Sequence, residues 1–277
     1  MFFEILKAIV FGIVEGITEW LPVSSTGHLI LLNEFLTLKV SEAFQEMFDV
    51  VIQLGAIFAV LVLFFHKLNP FSPKKSQAEK NGTWTLWFKV VLAVLPSAVL
   101  GLAFDDWFDA HFYNYTVVAL MLIVYGIAFL WVEEKRPAGA MTVTEVDGIS
   151  WRTALLIGAF QCLALIPGTS RSGATILGGI LLGVSRSAAS EFSFFLAIPT
   201  MLGASALKAL KFFLEGNAAT SVEIAVLITG MIVSFLVSIA AIRGLMEYVR
   251  KHKFSLFGIY RIVLGVIVLG YALVRRF

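Results

Sequence analysis

A chain of 277 residues that is 59% hydrophobic and only 14% charged lacks the quarter of charged residues usual in soluble domains, which excludes a cytosolic globule and a disordered protein alike. A net charge of +2 without a long basic run excludes a nucleic-acid partner. The single Cys162, set in an apolar stretch, excludes a disulfide framework and a cysteine-built metal site, which leaves a polytopic membrane protein.

The start, Met1-Phe2-Phe3-Glu4, has no basic segment, and no small-residue cleavage site follows its apolar run. It therefore reads as mature protein, and residues 1–277 read as one membrane domain. The first apolar region, 3–36, is broken near its middle by Leu21-Pro22-Val23-Ser24-Ser25-Thr26-Gly27. Predicted spans at 47–65, 84–104 and 116–132 follow, each near the roughly 20 apolar residues that a bilayer core needs. A second broken region, 151–183, is interrupted by Pro167-Gly168-Thr169-Ser170-Arg171-Ser172-Gly173, and spans at 191–214, 222–242 and 256–274 complete the chain. Non-helical backbone at membrane depth survives only under cover of protein or a watered cavity, so both broken regions are predicted to be re-entrant helix–turn–helix hairpins.

The two breaks match at a constant offset of 146. Gly12 pairs with Gly158, Glu15 with Gln161, Ser24 with Ser170, Thr26 with Ser172, Gly27 with Gly173, and Ile30-Leu31 with Ile176-Leu177. Leu54-Gly55-Ala56 resembles Leu202-Gly203-Ala204 at nearly the same distance. The predicted fold is an all-α polytopic membrane protein with six transmembrane helices and two hairpins, arranged as inverted repeats 3–132 and 151–274. Paired interruptions of that kind predict a binding site near the bilayer midplane. Lys67, Lys74, Lys75 and Lys80 in one loop and Arg243, Arg250, Lys251 and Lys253 in another favour the cytoplasm. The 105–115 segment carries Asp105, Asp106 and Asp109 and favours the outside, which makes both termini external. Lys7 and Arg275-Arg276 run against this orientation.

Ionisable groups inside apolar segments are functional candidates. Glu15 and Glu19, at i and i+4, share a helix face and would repel unless a cation such as Mg2+ lay between them. Ser24, Ser25 and Thr26 put hydroxyls at a helix start, where anions bind, and His28 follows as a group able to move a proton. Arg171, flanked by Ser170 and Ser172 with Thr175 one turn on, suits a phosphate or diphosphate, or alternatively pairs with Glu15 or Glu19. Gln53 either hydrogen-bonds near the site or joins two helices. Lys89 and Arg261 are expected to snorkel to the interface, and Glu191 to offset a helix dipole. No Walker A, GxGxxG or HExxH pattern occurs, so nucleotide-driven transport has no support. These groups describe a lipid phosphatase or a transporter of phosphate lipids.

The segments Glu15-Gly-Ile-Thr-Glu19-Trp-Leu-Pro-Val-Ser-Ser-Thr-Gly-His28 and Pro167-Gly-Thr-Ser-Arg-Ser-Gly-Ala-Thr175 closely resemble the two signature motifs of the undecaprenyl-diphosphate phosphatases, the bacitracin-resistance family. The likeness runs over essentially the whole chain. It implies hydrolysis of undecaprenyl diphosphate to undecaprenyl phosphate, which recycles the carrier lipid for cell-wall synthesis, in a bacterial plasma membrane and with Mg2+ or Ca2+ as cofactor. The expected roles are catalysis by Glu19, Ser25, His28 and Arg171, phosphate binding by Ser24, Thr26, Ser170, Arg171, Ser172 and Thr175, and metal binding by Glu15 and Glu19. The nucleophile is expected to be Ser25 activated by His28, with a metal-bound water as the alternative. The site is expected to open to the external face. Expected partners are a polyprenyl diphosphate lipid and the bilayer, with a homodimer left open and no nucleic acid. A phosphatidic-acid-phosphatase type is disfavoured, because Arg136-Pro137 lacks the upstream lysine of that family. A carrier or flippase of polyprenyl phosphate lipids is the competing reading, since inverted repeats with broken helices also build secondary transporters.

Overall fold

The computed structural model describes residues 1–136 and 141–275, so Pro137 and Arg276 lie outside the described residues. Every regular element among them is helical; the single β-type pairing is an isolated bridge between Val143 and Val184. The first region forms α1 (Phe2–Thr18) and α2 (Ser25–Phe35), separated by the predicted break. Next come α3 (Glu42–Val51) and α4 (Gln53–Leu63), which together make the first span, then a single-turn α5 (Phe65–Leu68) and the long α6 (Gln77–Phe112). After α7 (Tyr115–Lys135), the second broken region forms α8 (Trp151–Gln161), a 3-10 turn at Cys162–Leu165, and α9 (Arg171–Leu181). The chain continues through α10 (Arg186–Leu214), α11 (Ser221–Lys251) and α12 (Ser255–Arg275).

Six helices are long and apolar enough to cross a membrane: Glu42–Leu63, Gln77–Phe104, Tyr115–Lys135, Arg186–Leu214, Ser221–Lys251 and Ser255–Leu273. They coincide with the six predicted spans, and this is a multi-pass membrane protein. Three begin five to seven residues before the apolar runs, at 42, 77 and 186 rather than 47, 84 and 191. The reason is local. Ser41 and Ser185 cap α3 and α10 by accepting from the amides of Phe44 and Ala188, and Ser76 does the same for Glu79 at the head of α6, so polar first turns are held helical outside the apolar stretch. At the other end α6 continues through 105–112, a segment expected to be loop.

The helices α2, α8 and α9 have 11 residues each and reach only about 17 Å, little more than half of the ~30 Å hydrocarbon core. They therefore depend on neighbours. α1 lies along α11, and α8 lies along α6. Close approach is made possible by the glycines matched in sequence. A Cβ on Gly12 would stand 2.7 Å from the Gly230 carbonyl oxygen, and one on Gly158 only 2.1 Å from that of Ala93. The molecule is inside out relative to a soluble protein: Phe58, Val62, Ile232, Leu236 and Val266 are exposed, while Glu15, Ser25, Ser172, Thr175 and Arg261 are buried.

Candidate active site

Both breaks end on the same unusual backbone. Ser24 and Ser170 have φ of +74° and +70°, and they are the two non-glycine residues with positive φ among those described. Such a conformation costs about 1–3 kcal/mol and persists only where its surroundings enforce it. Here each serine caps the following helix. The Ser24 hydroxyl accepts from the Gly27 amide at 3.2 Å, and the Ser170 hydroxyl from the Gly173 amide at 3.1 Å. The left-handed turn thus aims the first amides and hydroxyls of α2 and α9 into the space between the two units.

Glu19, just past the end of α1, joins the two turns. Its Oε2 accepts from the Ser25 hydroxyl at 2.6 Å, and its Oε1 accepts from Arg171 Nη2 at 3.0 Å. Arg171 is fixed further by donating from Nη1 to the Ser193 carbonyl at 2.8 Å. The Ser172 hydroxyl donates back across the interface to the Glu19 carbonyl at 3.0 Å. Thr175 anchors α9 to α10 through the Ser193 hydroxyl at 2.7 Å, and the hydroxyls of Ser170 and Ser172 lie 3.2 Å apart. The structure therefore brings together Glu19, Ser25, Arg171, Ser170, Ser172 and Thr175 as the sequence predicts, with Arg171 paired to Glu19. Thr26, in the first turn of α2, makes no side-chain hydrogen bond within the described residues.

His28 stands apart from its expected partner. Its Nδ1 lies 2.7 Å from the Ser24 carbonyl oxygen and its Nε2 lies 2.6 Å from Tyr260 Oη, while Ser25 bonds to Glu19. The group placed to take the Ser25 proton is Glu19. Arg261 also departs from expectation. It is fully buried and does not snorkel. Its Nη1 donates to the Pro22 carbonyl of the first turn at 3.0 Å, and its Nη2 to the Gly168 and Thr169 carbonyls of the second at 2.7 and 2.9 Å. The guanidinium also lies 5.4 Å from the Tyr125 ring. One arginine on α12 thus clips the two breaks together by their backbones. Lys89 is likewise buried rather than snorkelling, donating to the Asp147 carbonyl at 3.2 Å. Glu191 pairs with Lys67 at 2.7 Å, because α10 starts at Arg186 and leaves Glu191 beyond the dipole's first turn. Gln53 opens α4.

Buried polar atoms in native proteins are almost always paired. The exceptions here concentrate at this place: both carboxylate oxygens of Glu15, Trp20 Nε1, the Thr169 hydroxyl, Nε of Arg171 and of Arg261, and the hydroxyl of Ser234 on the α11 stretch against which Gly12 and Gly16 pack. Four of these are donors at the two turns, which suits an anion. Glu15 is fully buried and finds no donor, so a positive partner is needed to offset its desolvation. Its sequence match Gln161 is satisfied, donating to Ser97 at 2.6 Å and Thr200 at 3.2 Å. Among the described residues no group of three or more His, Cys, Asp or Glu is assembled. The observation that suits a hard divalent ion is the unpartnered Glu15 carboxylate, one turn before Glu19, since such an ion takes few carboxylates when phosphate oxygens complete its shell.

Residues 8–267 match the family model described as bacitracin resistance protein BacA. The chain is 60% identical over 271 residues to the undecaprenyl-diphosphatase of Enterococcus faecalis, covering 98% of each. It is 58% identical to that of Streptococcus thermophilus, over 98% of this chain and 94% of the relative, and 54% identical to that of Streptococcus equi subsp. equi, over 99% of both.

Proposed function

The chain belongs to the BacA family of bacitracin-resistance proteins, and from that membership and the joined turns we infer that it is an integral-membrane phosphatase that hydrolyses undecaprenyl diphosphate to undecaprenyl phosphate and inorganic phosphate. Its hydrolysis recycles the carrier lipid of cell-wall synthesis and underlies bacitracin resistance. The observation that carries the mechanistic reading is the bridge made by Glu19 between Ser25 on one unit and Arg171 on the other.

In this reading the diphosphate displaces the carboxylate from Arg171. The guanidinium, its free Nε–H and the amides at the starts of α2 and α9 hold the phosphate oxygens and the charge that grows on them. Ser24, Thr26, Ser170, Ser172 and Thr175 line or support that cradle. Ser25 Oγ attacks the terminal phosphorus as its proton passes to Glu19. The Oγ–P bond forms, the bridging P–O bond breaks with undecaprenyl phosphate as leaving group, and water later cleaves the phosphoserine. Glu15 and Glu19 would hold a Mg2+ or Ca2+ ion, which when bound supplies positive charge against the phosphate oxygens. His28 serves proton transfer on the side of the site away from Ser25.

The same proposal includes both broken units as re-entrant hairpins of an inverted repeat, 3–132 and 151–274, in the bacterial inner membrane. Support comes from the matched turns and from Lys67, Lys74, Lys75, Arg250, Lys251 and Lys253, which favour the cytoplasmic side and leave the site open to the outside. A homodimer is part of the proposal only as an assembly to be weighed in detergent. The test is phosphate release from a polyprenyl diphosphate by the purified protein, with Mg2+ or with EDTA, beside Glu19→Gln. Metal-dependent release that falls about 10^3-fold in the variant is expected for loss of the base. A folded wild type that binds the lipid and releases no phosphate would overturn the reading in favour of a carrier.

A further inference from the structure

Both ring nitrogens of His28 are engaged. The partner of Nδ1 is the carbonyl oxygen of Ser24, one helical turn back, at 2.7 Å. A carbonyl only accepts, so Nδ1 carries a hydrogen, and the ring exchanges protons through Nε2 alone. Nε2 faces Tyr260 Oη at 2.6 Å, and the two rings lie in nearly parallel planes, 2° apart with centroids separated by 5.7 Å. That is an offset parallel arrangement, which together with the Nε2–Oη hydrogen bond fixes the imidazole against the Tyr260 ring.

Among the described residues, no other side chain hydrogen-bonds the imidazole. The nearby charge is Arg261, next to Tyr260 on α12, and its guanidinium is fixed on backbone carbonyls. The turn contributes Ser24 through its carbonyl, and Glu19 of the α1 end is taken up by Ser25 and Arg171. A catalytic imidazole is commonly aimed by a carboxylate. Here a carbonyl and a phenol do that work. Tyr260 is 44% exposed on a membrane-spanning helix while Ser25 and Glu19 are buried, so the His28–Tyr260 contact lies toward the outer surface of the helix bundle.

We propose that Tyr260 is a positioning residue of the hydrolytic site, its hydroxyl holding the His28 ring by Nε2. This rests on the reading that His28 takes part in the hydrolysis. Proton handling is then divided: Glu19 serves Ser25, and the His28–Tyr260 pair serves the phosphate oxygens on the opposite side.

Tyr260→Phe removes one hydroxyl from a half-exposed ring. Phosphate release would be measured from pH 5 to 9 for wild type, Tyr260→Phe, His28→Ala and the double variant. The expected result is a kcat reduced roughly tenfold, short of the 10^2–10^4 of an acid–base group itself, with KM within about twofold. The limb of the pH profile that His28→Ala abolishes is displaced in Tyr260→Phe, and the double variant is no slower than His28→Ala. A Tyr260→Phe enzyme with wild-type kcat and pH profile, or one whose loss adds in full to that of His28→Ala, overturns the proposal. If His28→Ala itself turns over normally, the reading beneath fails and the proposal falls with it. Independently of turnover, 15N-histidine NMR of the micelle-bound protein reports the Nε2 hydrogen bond, the His28 signal being identified by its absence in His28→Ala. An Nε2 shift unchanged by Tyr260→Phe likewise overturns the proposal.

Discussion

The turn between α1 and α2 and the turn between α8 and α9 share a backbone and differ in chemistry. Ser24 and Ser170 adopt the same left-handed conformation and the same cap, and Gly12 and Gly158 seat the preceding helices on α11 and α6. Onto that common frame the first unit loads acids and an imidazole: Glu15, Glu19 and His28. The second carries Gln161, Leu165 and Ala174 at the matched places, offset by 146. The position after the capping serine is Ser25 in one and Arg171 in the other, a hydroxyl and a guanidinium that both bond Glu19. The shared frame is thus dressed with different side chains, and in the proposed mechanism neither unit suffices without the other.

The comparison is broken most severely at that shared position. Arg171→Ala is expected to lower kcat/KM about 10^3-fold, the upper range for removing a charge-stabilising donor, because it also leaves Glu19 buried with one partner fewer. Ser25→Ala removes turnover to a similar depth while lipid binding persists. Near-normal turnover by Ser25→Ala, read in single-turnover phosphate release, would give the attack to water.

Glu15→Gln makes the first unit resemble the second. Metal-stimulated turnover is expected to fall about 10^2-fold, whereas stability rises by about 1 kcal/mol as an unpaired buried carboxylate is replaced by a neutral amide, the residue type of its match Gln161. Opposite movement of rate and thermal midpoint is the diagnostic. A variant that keeps its Mg2+ response would remove Glu15 from the metal site.

The smallest effects test the frame itself. Gly12→Ala and Gly158→Ala each force a methyl against a backbone oxygen and should cost about 1–3 kcal/mol in denaturant or thermal unfolding. Gly158→Ala should be the worse, since its Cβ would meet Ala93 at 2.1 Å against 2.7 Å for Gly12 on Gly230. The reverse order would mean that α8 yields more readily than α1.

The parts of this molecule that could be read from its sequence are those encoded locally. Six spans announce themselves because each is a continuous apolar run, and the two breaks do so because proline, glycine and hydroxyls interrupt such runs. Helix ends were less legible, since Ser41, Ser76 and Ser185 extend helices into polar sequence that hydropathy assigns to loop. Glu19, Ser25 and Arg171 were readable as intramembrane polar groups. The fate of Arg261 was not, because an arginine one turn inside a span snorkels or burns its charge on carbonyls depending on residues 239 and 93 positions away. The partner of His28 is 232 residues distant and equally invisible locally, so Ser25, three residues off, was the natural expectation where the structure pairs His28 with Tyr260 and Ser25 with Glu19.

The Arg261 clip also sets a schedule for making the protein. The Pro22 carbonyl and its donor are separated by 239 residues. At a synthesis rate of 5–20 residues per second, roughly 12–50 s pass between the emergence of the first turn and the arrival of its clasp. During that interval α1 and α2 are present without the helix that binds them to α8 and α9. The nascent chain must therefore shelter a polar, strained turn within the insertion machinery until α11 and α12 follow, and assembly of the site is among the last events of biogenesis although its acids are among the first residues made.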